Sequence, residues 1–312
     1  RPASASEPEP APVPDAPDTV EQSPVDSMPT PPAADDQPDP APPALDRPLS
    51  QTAHQPLADS VNPQPSPQRP SFLTHVSAEQ PASQGWRGLL TRMGIRMAPS
   101  DAERAQRADI HAVSQHWPGP RTVVVVNGKG GASKTVSVIL LATVFARHGG
   151  AGVLAWDNNQ TRGTLGWRTE QGGHDATVQD LLPQGRWLLG TQAQSADLAH
   201  YVHHQTADVY DVLRSQPLRL ASEQRITPAD VDLLHAVATK YYRLVFVDTG
   251  NDESDPVWLR AMEHADQLVV PTTTRDDHAE AGALLLDALR RRDQHSADLA
   301  ENAVAIVTQA DA

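Results

Sequence analysis

The chain has 312 residues, 39 acidic side chains against 25 basic ones, a formal net charge of −14 and no cysteine. The missing thiols exclude disulfides, thiolate catalysis and cysteine metal sites, and the acidic balance argues against general nucleic-acid affinity. No apolar run is long enough to span a bilayer and no signal-peptide pattern opens the chain. It begins at Arg1 rather than methionine and stops just past an apolar strand pattern, as expected of a fragment of a longer protein.

Residues 1–80 hold twenty of the twenty-nine prolines, and twelve acids against three arginines, with almost no aromatics. Such a leader cannot bury enough apolar surface to offset chain entropy, so disorder with local polyproline II character is expected. Residues 81–120 read as a basic amphipathic linker. Trp86, Leu89, Leu90 and Met93 share one helical face while Arg87 and Arg92 lie off it, and Gly94 ends the turn. The segment 86–97 reads either as a lid packed on the following domain or as a docking element for an acidic partner or a membrane surface. The shortness of the apolar face favours the lid. Ser100-Asp-Ala-Glu103 has the spacing of a capping box and opens a second helix towards Trp117.

From residue 121 the pattern changes to that of an α/β domain running to 312. Thr122-Val-Val-Val-Val-Asn-Gly-Lys-Gly-Gly-Ala-Ser-Lys-Thr135 is a four-valine strand running into a glycine-rich turn. The apolar helix that follows closes at Gly149 and Gly150. Strand, glycine-rich loop and helix form the context of a phosphate-binding loop. Gly128, Gly130 and Gly131 let backbone N–H groups of the loop, including those of Ala132 and Ser133, converge with the helix N-terminus on phosphate oxygens. Lys134 then places a charge on the β and γ phosphates, and the Thr135 hydroxyl completes a Mg²⁺ shell. The usual spacing is G-x-x-x-x-G-K-[ST], and Ser133 replaces its second glycine. The serine still offers its N–H, while its Cβ is expected to crowd the turn or the phosphate. The alternatives to a working loop are a glycine-rich turn with a chance Lys-Thr and a decayed loop that no longer binds nucleotide.

Further along, Val153-Leu-Ala-Trp-Asp157 and Arg243-Leu-Val-Phe-Val-Asp-Thr-Gly250 are apolar strands ending in a carboxylate. His200, His203 and His204 lack a ligand spacing, sit in what reads as a surface loop, and are expected to bind no metal. Gln267-Leu-Val-Val-Pro-Thr-Thr273 is another strand, followed by a helix over 276–292 that is acidic at its start and basic at its end, as the helix dipole favours. Ala303–Thr308 is a last strand.

With Lys129 directly after the first loop glycine, Gly-Lys-Gly-Gly-Ala-Ser-Lys-Thr135 resembles the deviant Walker A motif, K-G-G-x-G-K-[ST], of the MinD/ParA family of P-loop ATPases. That resemblance implies a three-layer P-loop NTPase domain with a mostly parallel sheet, binding ATP and Mg²⁺. It gives Lys129 the role of reaching across a nucleotide-sandwich homodimer to a phosphate. Asp157 takes the place of the switch I aspartate that orients the attacking water and the metal's solvent shell. The family's D-x-D-P is otherwise reduced here, with Ala155 and Asn158 in place of the first acid and the proline. Asp248 corresponds to the Walker B acid that accepts from Mg²⁺-bound water, and Gly250 gives the following loop freedom to sense the γ-phosphate. Pro271 falls near the nucleotide, and Thr308 stands where the family generally presents an asparagine to adenine.

The proline-rich leader, Trp86-Arg-Gly-Leu-Leu90, Trp117-Pro-Gly-Pro-Arg121, Trp156-Asp-Asn-Asn159 and Thr161-Arg-Gly-Thr-Leu-Gly-Trp167 narrow the resemblance to the EspI-type, MinD-like ATPases of type VII (ESX) secretion systems. This implies a slow ATPase acting as an ATP-dependent dimerisation switch, with parts of a secretion apparatus as partners. Its place is then the cytoplasm or the inner face of the membrane. Two alternatives stand beside it. One is a nucleotide-sensing or non-hydrolysing adaptor with a degenerate loop. The other is a chromosome- or cargo-positioning ParA-like ATPase, which needs a basic surface that this acidic sequence does not advertise.

Overall fold

The computed structural model describes residues 79–160, 163–216 and 225–309, all within the unit His75–Ala312. Residues 1–78 of the acidic leader lie outside the described residues, as do Thr161 and Arg162 of the motif ending at Trp167.

Two helices lead in, α1 (Gly85–Arg92) and α2 (Asp101–Val113). Ser100 caps α2 by accepting from the Glu103 N–H at 3.2 Å. The capping box expected there is only half made, because the Glu103 carboxylate turns away to accept from the Ser83 N–H and hydroxyl, both at 2.8 Å, and to pair with Arg107 at 2.6 Å. That buried carboxylate ties the chain before α1 to α2. The lid reading of α1 is overturned: Trp86, Leu89 and Met93 are 64%, 60% and 66% exposed, and the buried residue of the helix is Gly88 on its opposite side. A Cβ at Gly88 would collide with the Ser83 backbone, so α1 is held by its polar back and its apolar stripe faces out.

Strands of three to seven residues, apolar except at the β3 edge, then build a seven-stranded sheet. In chain order the elements are β1 (Arg121–Val125), α3 (Lys134–Gly149), β2 (Val153–Asn158), the short helices α4 (Val178–Leu181), α5 (Gly185–Leu188) and α6 (Ser195–Leu198), and β3 (His203–Gln205) with β4 (Tyr210–Leu213). They continue with α7 (Pro228–Tyr241), β5 (Leu244–Thr249), α8 (Pro256–Glu263), β6 (Gln267–Thr273), α9 (Asp276–Arg292), α10 (Gln294–Glu301) and β7 (Val304–Thr308). The strand order is β3-β4-β2-β5-β1-β6-β7. Every neighbouring pair is parallel except β3 with β4.

Alternation along the strands splits the core into two layers, as a sheet covered on both faces requires. Val125, Val153, Ala155, Phe246 and Val269 pack with Val138 and Ala142 of α3. Val124, Leu154, Trp156, Val247 and Val270 pack on the other face with Val231 and Leu234 of α7, Met262 of α8 and Leu285 of α9. The layers are therefore helix, sheet, helix, as the P-loop resemblance implies, and β1 lies inside the sheet between β5 and β6 with the loop at its carboxyl end. His203 and His204 are not in a surface loop: they form the antiparallel edge strand, with His203 buried against His174. Among the described residues no group of histidines and carboxylates is arranged to hold a metal ion. No described helix is long and apolar enough to cross a membrane.

Candidate nucleotide site

Parallel strands bring their carboxyl ends to one rim of the sheet, where open α/β folds place ligands. At that rim β1 delivers the loop, β5 delivers Asp248 and β2 delivers Asp157, the two aspartates lying opposite each other in register.

The loop's shape rests on two left-handed residues, Gly131 (φ 85°) and Ser133 (φ 67°). Glycine adopts this region freely, whereas a serine there carries strain of about 1 kcal/mol. Ser133 is thus the site of the glycine it replaces, and its side chain does not point into the loop: its hydroxyl lies 3.1 Å from that of Thr308, which donates onward to the Thr272 carbonyl at 3.2 Å. Asn127 braces the loop from below. Its amide donates to the carbonyls of Pro271 (2.8 Å) and His278 (3.2 Å), and its oxygen accepts from the Lys129 N–H at 2.9 Å. Pro271 sits beyond the β1 register, which ends at Val269, so its missing N–H breaks no bond to β1.

Lys134 is buried, with its ammonium folded back into the loop. It donates to the Asn127 carbonyl at 2.8 Å, to the Lys129 carbonyl at 3.3 Å and, in a short contact, to the Asn251 side chain. Burial pulls its pKa down to about 8, opposed by Asp248 and Glu253. Next to it the Thr135 hydroxyl donates to Asp248 at 2.7 Å. The other Asp248 oxygen is buried with no hydrogen-bond partner, and burial pushes its carboxyl upwards while Thr135 and Lys134 pull it back. A hydroxyl beside a carboxylate with one orphaned oxygen, under a loop of N–H donors, is a hard-oxygen donor set of the kind Mg²⁺ takes. Thr135 and Asp248 thus fit the ion.

Asp157 is different. Its two oxygens accept from the backbone N–H groups of Asn159 (3.1 Å) and Leu165 (3.2 Å), stapling the loop after β2. A Cβ at Gly163 would strike both of its oxygens, so the close backbone approach requires glycine there. Burial first, and the Asp248 charge second, raise the Asp157 pKa. Lys129 is half exposed, with its ammonium 3.6 Å from Asp277 at the start of α9. Gly250 opens the loop whose Asn251 reaches Lys134 and whose Glu253 lies against Gly128.

Two cavities meet at Gly130, Gly131 and Ser133. One, about 350 Å³, is lined by Ala132, Lys134, Thr135, Thr164, Arg168 and Asn251; the other, about 600 Å³, by Lys129, Thr273, Arg275, Asp277, His278 and Gln309. The structure therefore brings together Gly128, Lys129, Gly130, Gly131, Ala132, Ser133, Lys134, Thr135, Asp248 and Gly250, with Pro271 and Thr308 as supports and Asp157 turned into its own loop. The sequence reading missed Asn127, Asn251, Glu253, Arg168 and His278. Asn127, directly before the first loop glycine, was the one with a positional signal, since an Asx side chain there can bond its own backbone two residues on.

No family model matches the chain. Over 235 residues it is 26% identical to the ESX-1 secretion-associated protein EspI of Mycobacterium tuberculosis (strain CDC 1551 / Oshkosh), covering 72% of this chain and 33% of EspI. The same figures hold for EspI of strain ATCC 25618 / H37Rv, so the chain spans about a third of the length of the curated relatives it matches. Among solved structures, a ParA family ATPase from Chlorobium tepidum TLS is 21% identical with a TM-score of 0.49, over 61% of this chain and 73% of that one. The cell division ATPase MinD of Pyrococcus furiosus is 17% identical with a TM-score of 0.44, over 61% and 84%. By its own loop and mostly parallel sheet the chain has the fold of a P-loop domain, and over 235 residues its sequence is similar to that of EspI.

Proposed function

We propose that this chain binds Mg-ATP at the loop from Gly128 to Thr135 and uses the bound state as a switch for dimerisation. The observation that carries the reading is the cradle itself: a buried Lys134 ammonium held by two carbonyls and a side-chain amide, beside a Thr135–Asp248 pair with one unpartnered carboxylate oxygen. A phosphate oxygen is an acceptor of the same kind, so Lys134 can meet a β or γ phosphate by exchanging one of these contacts for it. Thr135 and Asp248 would hold Mg²⁺, which when bound neutralises charge on the phosphates.

Asn251 and Glu253 follow Gly250 and lie against the loop, so a γ-phosphate that takes over Lys134 displaces the Asn251 contact and reports to this segment. Lys129 is half exposed and among the described residues its ion pair is with the partly exposed Asp277, which leaves it free to exchange that partner for a phosphate across a homodimer. The likeness to EspI supports a secretion apparatus as the setting in which such a switch is read.

A second reading, a nucleotide sensor without turnover, is favoured by one observation: both Asp157 oxygens are engaged by backbone N–H groups. One experiment separates the two. Light scattering of the chain with Mg²⁺ and a non-hydrolysable ATP analogue should show a dimer that Lys129→Ala loses while keeping nucleotide, and phosphate release from ATP should then be measured on the same protein. Turnover above buffer selects the slow ATPase and its absence selects the sensor. A chain that stays monomeric with nucleotide bound removes the switch.

A further inference from the structure

We propose that α1 and the turn after it form a contact element for an anionic lipid surface. A surface helix of a globular protein ordinarily turns its apolar stripe inward. Here the stripe is turned outward: Trp86, Leu89 and Met93 are each at least 60% exposed, and Ile95 is 53% exposed. The left-handed Gly94 (φ 95°) lets the Ile95 N–H reach back to the Leu90 carbonyl at 3.0 Å, so Ile95 continues the ridge instead of leaving it.

The orientation is built, not incidental. Gly88 seats the back of α1 against Ser83, the buried Glu103 carboxylate grips Ser83 twice, and Arg107 fixes Glu103. Around the ridge stand Arg87, Arg92 and Arg96, with no acid between Glu79 and Asp101, in a chain whose formal net charge is −14. Arg87 stands 5.6 Å from the centre of the Trp86 ring, while Arg92 and Arg96 make no ion pair among the described residues.

A short ridge of Trp, Leu, Met and Ile flanked by unpaired arginines matches the interface between headgroups and acyl chains. There the aromatic ring sits at the boundary and each arginine meets a lipid phosphate. A negatively charged chain is otherwise repelled by such a surface, so the local reversal of charge selects this face for the contact. One helix of eight residues gives weak, salt-sensitive binding.

Flotation of the full 312-residue chain with vesicles of phosphatidylcholine, alone or mixed with phosphatidylglycerol, tests this. The chain should float with the mixed vesicles only. The floated fraction should fall about ten-fold when salt rises from about 0.1 M to 1 M and the Debye length shrinks from roughly 10 Å to 3 Å. Leu89→Glu with Met93→Glu, and separately Arg92→Glu with Arg96→Glu, should each lower it by a similar factor without moving the thermal midpoint, since all four side chains are exposed. No flotation with anionic vesicles overturns the proposal. So does flotation that both double variants retain, or a ridge whose substitution changes only self-association of the protein in light scattering, which would make it a protein-binding surface.

Discussion

β5 and β2 lie side by side, each buried along its whole length and each carrying an aspartate one residue before its end, and Asp248 and Asp157 are partners in register. Their surroundings nevertheless send them to opposite tasks. Asp248 faces the loop that follows β1, gives one oxygen to the Thr135 hydroxyl and keeps the other free. Asp157 faces the loop that follows its own strand and spends both oxygens on that loop's N–H groups. What decides between a metal-facing acid and a structural one is the neighbouring donors: for Asp248 a hydroxyl from a distant part of the chain, for Asp157 two N–H groups of the loop that follows it.

The comparison breaks most easily through stability. Asp157→Ala leaves two backbone donors of the β2 loop without partners, at about 1–3 kcal/mol each, partly offset by removal of a buried carboxylate. A net loss of about 2 kcal/mol and a clearly lower thermal midpoint are expected. Asp248→Asn keeps an acceptor for Thr135 and removes a charge that burial disfavours, so its unfolding free energy should stay within about 1 kcal/mol of the parent. Equal destabilisation of the two variants in urea titrations would erase the distinction.

Acid titration sharpens it, provided a separate group is accounted for. His235, far from the rim, accepts or donates at 2.9 Å with the Thr122 hydroxyl and stacks on His264. Burial, with the His264 charge second, lowers its pKa from 6.5 to about 4. The folded state therefore keeps His235 neutral where the unfolded chain binds a proton. Its contribution is fully present above pH 6.5 and is lost as pH falls from 6.5 towards 4. Allowing for its partial contact with solvent, this amounts to about 1–2 kcal/mol. His235→Gln should flatten stability between those pH values, and a curve unchanged by that substitution would refute the assignment.

The smallest effect concerns Ser133. Ser133→Gly relieves left-handed strain of about 1 kcal/mol but gives up the contact with Thr308 and adds backbone freedom to the unfolded chain, each worth about 0.5–1 kcal/mol. The stability change should lie within about 0.5 kcal/mol of zero in thermal or urea unfolding. A gain above about 1 kcal/mol would mean that the Thr308 contact contributes nothing.

The strands β1, β2, β5 and β6 and the loop helix α3 were legible in the sequence because buried parallel strands are continuous apolar runs and the loop's glycines mark where they end. The strands β3 and β4 were not: His203-His-Gln205 has no apolar alternation, since an edge strand of three residues is specified by its pairing partner. Nor was the direction of α1. A stripe of Trp86, Leu89 and Met93 gives the same periodicity whether it faces core or solvent, and the side that is buried is fixed by Gly88 against Ser83 and by the grip of Glu103 on Ser83. Glu103 shows the same limit, because its capping-box spacing was outcompeted by a donor pair twenty residues earlier. In the site, Lys134, Thr135 and Asp248 were readable as a motif. The engagement of Asp157 by its own loop was not, because an aspartate after a strand has the same sequence signature in either role.

The most direct test of the site is calorimetric titration of the full chain with ATP, with and without Mg²⁺, for the parent and for Lys134→Ala. Saturable binding that strengthens with Mg²⁺ and falls by about two orders of magnitude or more in the variant, whose lost ammonium removes a charge-assisted contact to phosphate, is the predicted result. Equal heats and affinities for the two proteins, or binding indifferent to Mg²⁺, would contradict the assignment of Lys134, Thr135 and Asp248 to phosphate and metal.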